Sequence, residues 1–200
     1  MKKIILSAFA ALFLVGSAFA ETVRMGTEGA YPPYNFINDN GEVDGFEKDV
    51  GDMLCIRANL DCVWVITEWD SIIPNLVSGN YDTIIAGMSI TAERDEVIDF
   101  TQDYFPPSPS VYMGMSGADI DVDSAVIAAQ TATIQAGYVA ESGATLVEFA
   151  TAEETISAVQ NGEADAVLAD GDYLASIIAV SKGEFGDIGD VSGVGGGGSY

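Results

Sequence analysis

The sequence predicts an α/β protein of two blocks, each a sheet flanked by helices, with an extended segment joining them. Three observations predict this. Short apolar runs alternate with helix-period segments over residues 23–97. The same alternation returns over residues 126–180. Between the two blocks, residues 99–111 are extended and proline-rich, with Pro106, Pro107 and Pro109, as expected of a crossing strand or interdomain connection.

Taken in order, the first twenty residues stand apart. Lys2 and Lys3 precede an apolar stretch over residues 4–15, and Ala18-Phe19-Ala20 supplies small residues where a signal peptidase reads. We expect a cleavable export signal at residues 1–20; the alternative is an uncleaved anchor. No small-residue-plus-Cys motif marks a lipid anchor. The first lobe is then expected over residues 21–107. It reads as a strand at 23–26, an irregular aromatic loop at 29–34 and a hairpin turn at Asn38-Asp39-Asn40-Gly41. Phe46, Val50, Met53, Leu54 and Ile56 recur at helical spacing, giving a helix to near Asn59. A strand at 62–66 follows, then a helix capped by Asp70 and stopped by Gly79, a strand at 81–86, and a short helix capped by Thr91 that runs to Val97.

The second lobe is expected over residues 108–190, with strands at 126–129, 146–149 and 164–168. Helices lie between and after them, through Val139, from Thr151 to Val159 and from Tyr173 to Val180. Thr151 and Glu154 have the spacing of a capping box, and Asn161-Gly162 ends that helix. Residues 191–200 are the glycine-rich end, and within them the tail from Gly193 to Tyr200 is expected to supply no core element, because glycine has little to pack and much backbone freedom to lose.

Charge and composition exclude several functions. The chain carries 31 acidic and 7 basic residues, a net charge of -24, and loss of residues 1–20 removes two of the basic ones. Such a surface repels nucleic acid and anionic lipid. Without any histidine there is no imidazole catalysis, histidine-ligated metal or imidazole pH switch. No nucleophile elbow or phosphate-cradling motif occurs, and no acid spacing selects a calcium loop. Neither a cofactor nor a metal is implied. Cys55 and Cys62, seven apart in an exported chain, are expected to oxidise to a disulfide, worth about 2 kcal/mol. Two free buried thiols are the alternative at this point.

Loops at the carboxyl ends of strands form the binding crevice of open α/β sheets. Here those loops carry residues 28–34, Trp69-Asp70, residues 87–94 and 130–135, and the strand end at Asp170. Arg94 is one of few cations, placed at a helix start where the dipole does not favour it, and its planar fork suits a carboxylate. A surface ion pair is its alternative role. Asp170 follows an apolar strand and suits an ammonium group, or else caps the next helix. Ser89 and Thr133 offer hydroxyls for a carboxylate. Tyr31, Tyr34 and Trp69 offer rigid walls for a side chain, or ordinary core packing. Glu28 suits a basic substituent, or is one more exposed acid.

Together these stretches resemble a known family. Gly26-Thr27-Glu28-Gly29-Ala30-Tyr31-Pro32-Pro33-Tyr34, Gly45-Phe46 with Asp49, residues 69–74, residues 81–91 with Arg94, Asp99-Phe100-Thr101, residues 130–135, and residues 162–166 leading to Asp170 are similar to the periplasmic polar amino-acid-binding proteins of ABC importers. This is solute-binding protein family 3, in the branch of the lysine/arginine/ornithine- and histidine-binding proteins. The resemblance implies a type II two-lobed periplasmic binding protein fold. It implies a soluble periplasmic monomer that binds a free amino acid, expected to be a basic one, and delivers it to an inner-membrane ABC permease. Arg94 would hold the α-carboxylate with Ser89, Thr133 and the Gly87 backbone. Asp170 would hold the α-ammonium, Tyr31 and Trp69 would flank the side chain, Glu28 would meet its cationic end, and Gln135 would touch the distal end. Cys55 and Cys62 resemble that branch's short-range disulfide.

Three departures accompany the resemblance. Ala132 stands where glycine is usual, prolines crowd the hinge, and the glycines at residues 191–200 come near the expected return crossover. The first lobe is therefore expected to lack its closing elements. A dehydratase resembling the cyclohexadienyl type and a sensory ligand-binding module are the competing functions on this fold.

Overall fold

The computed structural model describes residues 22–196; the export signal expected over residues 1–20 and the end of the chain at 197–200 lie outside them. The chain enters on β1 (Thr22–Thr27) and folds into a small antiparallel sheet of β2 (Ala30–Tyr31), β3 (Asn35–Ile37) and β4 (Val43–Asp44). Helix α1 (Phe46–Ala58) follows and ends where Asn59 turns left-handed at φ 54°. Then come β5 (Asp61–Ile66), a 3-10 turn (Trp69–Ser71), α2 (Ile72–Val77), β6 (Thr83–Ile84) and α3 (Ala92–Asp95). Strands β5, β1 and β6 form a parallel sheet in that order. A disulfide joins Cys55 of α1 to Cys62 of β5 and staples helix to sheet.

Four expectations for this part need correction. Ala30 and Tyr31 are not irregular: they precede the prolines and keep their donors, so they pair with Phe36 and Asn35. Asp70 caps no helix. It lies within the 3-10 turn, where its carboxylate accepts from the Ser71 hydroxyl at 2.8 Å. The strand expected at 81–86 is regular only at Thr83–Ile84, although Asp82 and Ile85 continue the pairing by donating to the carbonyls of Arg24 and Gly26. The helix expected to reach Val97 ends at Asp95, and the amides of Val97 and Ile98 close it on the Arg94 carbonyl.

The chain then crosses to β7 (Ser108–Met115), β8 (Val126–Gln130), α4 (Ile134–Glu141), β9 (Thr145–Phe149), α5 (Ala152–Asn161), β10 (Ala166–Asp170), α6 (Gly171–Val180) and β11 (Phe185–Gly196). These five strands form one sheet in the order β11-β7-β10-β8-β9. Alternate residues of a strand face opposite sides, and this sheet is covered on both. Ala128 and Val167 pack on one side with Ile156 and Val159 of α5 and Tyr173 and Leu174 of α6. Ile127, Ala166 and Leu168 pack on the other with Val139 of α4. Thr151 and Glu154 form the expected capping box, and Gly162 ends α5 at φ 72°.

The glycine-rich end departs most from its expectation. β11 runs to Gly196 along β7, with bulges between Asp187 and Gly189 and between Val191 and Gly195. Pairing requires only backbone donors and acceptors, which glycines retain. Val191 is buried in the core and Val194 packs against it.

Candidate functional site

Five strands, parallel within their own sheets, point their carboxyl ends at one cleft. Glu28 follows β1, Trp69 follows β5, Gly87 and Ser89 follow β6, Gln130 ends β8, and Asp170 ends β10. All nine residues singled out from the sequence, Glu28, Tyr31, Trp69, Gly87, Ser89, Arg94, Thr133, Gln135 and Asp170, line the same cavity. Counted out to its open mouth, it encloses about 530 Å³. Gln130, Ala152 and Thr155 are among the other residues of its wall. Elements of the parallel three-stranded sheet β5-β1-β6 (the first sheet) and of the five-stranded sheet (the second) both contribute, so the cavity lies between them.

Arg94 lies at one end. Its guanidinium donates to the Ser89 carbonyl at 2.9 Å and, across the cleft, to the Ala132 carbonyl at 3.1 Å. It also sits 5.6 Å from the centroid of the Trp69 ring, within cation–π range. Burial pushes the guanidinium pKa down, opposed by Glu93 and Asp170. The Trp69 indole donates to the same Ala132 carbonyl at 3.3 Å. Ala132 presents that carbonyl from a left-handed conformation, φ 56°, that glycine adopts more readily. Thr133 caps α4 by accepting from the Ala136 amide, and its own hydroxyl donates to the Gln130 carbonyl at 2.6 Å.

Asp170 begins α6 without capping it by its side chain. Its carboxylate instead accepts from the Tyr31 hydroxyl at 2.9 Å and from Gln135 at 2.8 Å. Gln135 is thus bonded to Asp170, and its amide also donates to the Ser110 hydroxyl oxygen at 3.0 Å. Tyr31 stacks on Tyr173, ring centroids 4.2 Å apart. Tyr34 turns away to Phe105 and to the Asp172 carboxylate.

Glu28 is buried, which pushes its carboxyl up to about 7; a bond from Gln130 opposes the rise and nearby Glu68 adds to it. The Gln130 amide donates to Glu28 at 2.6 Å and to the Ala150 carbonyl at 3.1 Å. Sequence reading places Gln130 in a cleft loop without giving it a role. Its polar type at the end of an apolar strand is the available signal. Thr155 gives no such signal, since it lies on a helix face whose burial only the packing decides.

The cleft pairs a guanidinium with two carboxylates between aromatic walls. That combination suits a small polar molecule carrying charges of both signs. Residues 23–120 match the model of the bacterial extracellular solute-binding proteins, family 3. The octopine-binding periplasmic protein of Rhizobium meliloti is 34% identical, over 84% of this chain and 68% of its own. The L-arginine-binding protein of Pseudomonas aeruginosa is 32% identical, over 85% and 70%. A solved periplasmic His/Glu/Gln/Arg/opine family-binding protein from Silicibacter pomeroyi, in complex with lysine, shares 72% identity, with a TM-score of 0.83 over 88% of this chain and 81% of that one. The chain belongs to the bacterial extracellular solute-binding proteins of family 3, and its fold is the two-lobed fold of periplasmic binding proteins.

Proposed function

We propose that this protein binds a free amino acid with a basic side chain, such as lysine, arginine, ornithine or histidine, and delivers it to an inner-membrane ABC permease. One observation carries the reading. A single cavity holds Arg94 from the first sheet, Asp170 from the second, and a buried carboxylate, Glu28, with no cation of the protein bonded to it among the described contacts. A zwitterion needs the first two, and a third charge on the ligand needs the last.

In this reading Arg94, Ser89 and Thr133 take the α-carboxylate; the Gly87 amide, expected to join them, already donates to Glu47 and instead fixes the loop that carries Ser89. Asp170, oriented by Tyr31 and Gln135, takes the α-ammonium. Tyr31 and Trp69 wall the aliphatic part of the side chain, and Glu28 takes its positive end. The lobes are residues 21–107 and 108–190, and they close by a hinge motion about the segment that crosses between them. The bonds from Arg94 and Trp69 to Ala132 and from Tyr31 to Asp170 span the cleft and stabilise the closed arrangement. The protein works as a periplasmic monomer after signal cleavage and needs reversible binding only, not catalysis. Relatives that bind octopine, arginine and lysine support the choice of ligand class.

Calorimetric titration tests this. Arg94→Ala is expected to weaken binding at least 100-fold, because a buried carboxylate that loses its partner costs about 3–5 kcal/mol. Near-normal affinity in that variant would remove Arg94 from the site.

A further inference from the structure

The loops that present Gly87 and Glu28 share an anchor outside the cavity. Glu47, the second residue of α1, is fully buried. One of its carboxylate oxygens accepts from the Gly87 amide at 2.6 Å and from the Tyr104 hydroxyl. The other accepts from the Asn35 amide at 2.6 Å. Asn35, also buried, uses its carbonyl oxygen to accept from the Gly29 amide at 2.7 Å. The chain places Glu47 firmly. The amides of Phe46 and Glu47 donate to the carbonyls of Pro33 and Tyr34. Gly45 lets the helix start that close, at φ 114°; a Cβ there would lie 2.5 Å from the Tyr34 carbonyl oxygen.

We infer that Glu47 is a positioning residue for the binding site, which through Asn35 sets the Gly29 end of the first binding loop and directly sets Gly87 at the start of the second. Tyr104 ties the same carboxylate to the segment that crosses between the sheets. The donor and acceptor order along this chain is fixed: Gly29 N–H to Asn35, Asn35 amide to Glu47, Gly87 N–H to Glu47. A carboxylate at position 47 fits it because it accepts on both oxygens. In Glu47→Gln one donor faces another whichever way the amide is turned: the new amide meets either the Asn35 amide, which can turn only by taking the acceptor from Gly29, or the Gly87 amide, whose remaining acceptor is the Tyr104 hydroxyl at 3.2 Å. Adding Asn35→Asp reverses one link only. The side-chain amide introduced at position 47 then donates to the carboxylate introduced at position 35. That carboxylate still accepts from Gly29, and the new amide's oxygen still accepts from Gly87 and Tyr104. Net charge is unchanged.

The test compares wild type, E47Q and N35D/E47Q. Amide exchange at Gly29 and Gly87, measured without ligand, reads the network independently of any ligand. Lysine titration reads its effect on the site, and this arm rests on the proposed function. E47Q is expected to exchange faster at one or both glycines and to bind lysine about tenfold more weakly, as when a buried donor loses its acceptor. N35D/E47Q is expected to restore protection and affinity to within about threefold of wild type. Unchanged exchange in E47Q, or no recovery in the double variant, would overturn the assignment. If E47Q does not fold, a double variant that folds with wild-type protection supports the assignment, and one that fails overturns it. Restored exchange with no lysine binding by any of the three proteins would count against the proposed ligand class, not against the network.

Discussion

The two sheets reach the same cleft with unequal support. In the second, Met113, Ile127 and Val167 are 0% exposed, and helices cover both faces. In the first, α1 buries only Glu47, Gly51 and Cys55, while Met53, Leu54 and Ile56 of the same helix stay exposed, Ile56 at 79%. Val63 and Ile66 of β5 are exposed as well. The same alternation of apolar and polar residues thus made elements of the same kind in both halves but did not decide how deeply they are buried. Loops of the second half are held by apolar packing beneath them. Those of the first half rest on smaller buried clusters, around Ile72, Tyr81 and Met88 and around Met25 and Ile85, supplemented by specific bonds: the Glu47 network, the Cys55–Cys62 disulfide, and the bidentate Arg24–Asp82 pair that joins β1 to the turn before β6.

The comparison is broken most directly in the cores. Leu174→Ala, in the packed second core, is expected to cost about 2–5 kcal/mol in denaturant unfolding. Ile56→Ala, on the exposed face of α1, should change stability by no more than about 0.5 kcal/mol. Equal losses at the two sites would mean that the first sheet is covered in solution. Next in size is the disulfide. Replacing Cys55 and Cys62 with alanine should cost about 2 kcal/mol. The resulting rise in amide exchange should be concentrated in α1 and β5 and leave β8 and β10 protected.

A third prediction concerns Glu28. Its carboxyl is raised to about 7 by burial, so it holds a proton in the ligand-free cleft over a range where an unfolded chain would have lost it. Stability of the ligand-free protein therefore falls as pH rises from the ordinary carboxyl range through about 7. Affinity for a cationic ligand runs the other way. Lysine needs Glu28 ionised, so its affinity should rise by up to about tenfold per pH unit and level off above about 7. Glu28→Gln should flatten that profile in titrations at several pH values; an unchanged slope would remove Glu28 from the ligand's charged end. The smallest effect is expected at Ala132. Glycine relieves its left-handed backbone but adds freedom to the unfolded chain, so Ala132→Gly should raise stability by less than about 1 kcal/mol in thermal melts.

Much of this is legible in the sequence, for physical reasons that differ from residue to residue. Thr151 with Glu154 and Gly162 are local signals, and local geometry obeys them. The cleft residues can be found because strand ends and their loops carry the exposed polar groups of an α/β sheet, whatever its packing. Glu47 cannot be found this way. Among 31 acidic residues its burial leaves no mark, because the partners that make it tolerable, Asn35, Gly87 and Tyr104, come from separate loops. β11 is hidden for the opposite reason: five glycines among its twelve residues, and bulges that shift its register, break up any side-chain period, and its pairing with β7 reveals it. Asp70 looks like a cap because the residue type suits one, but a 3-10 turn claims the position.

One cleft matched to one charged zwitterion is the central claim. Isothermal titration of the mature chain with lysine, arginine, ornithine and histidine at pH 8 tests it most directly. Saturable one-site binding of at least one of them, stronger than that of any neutral amino acid, is the predicted result. No binding of any of the four, or a preference for a neutral or acidic amino acid, would contradict it.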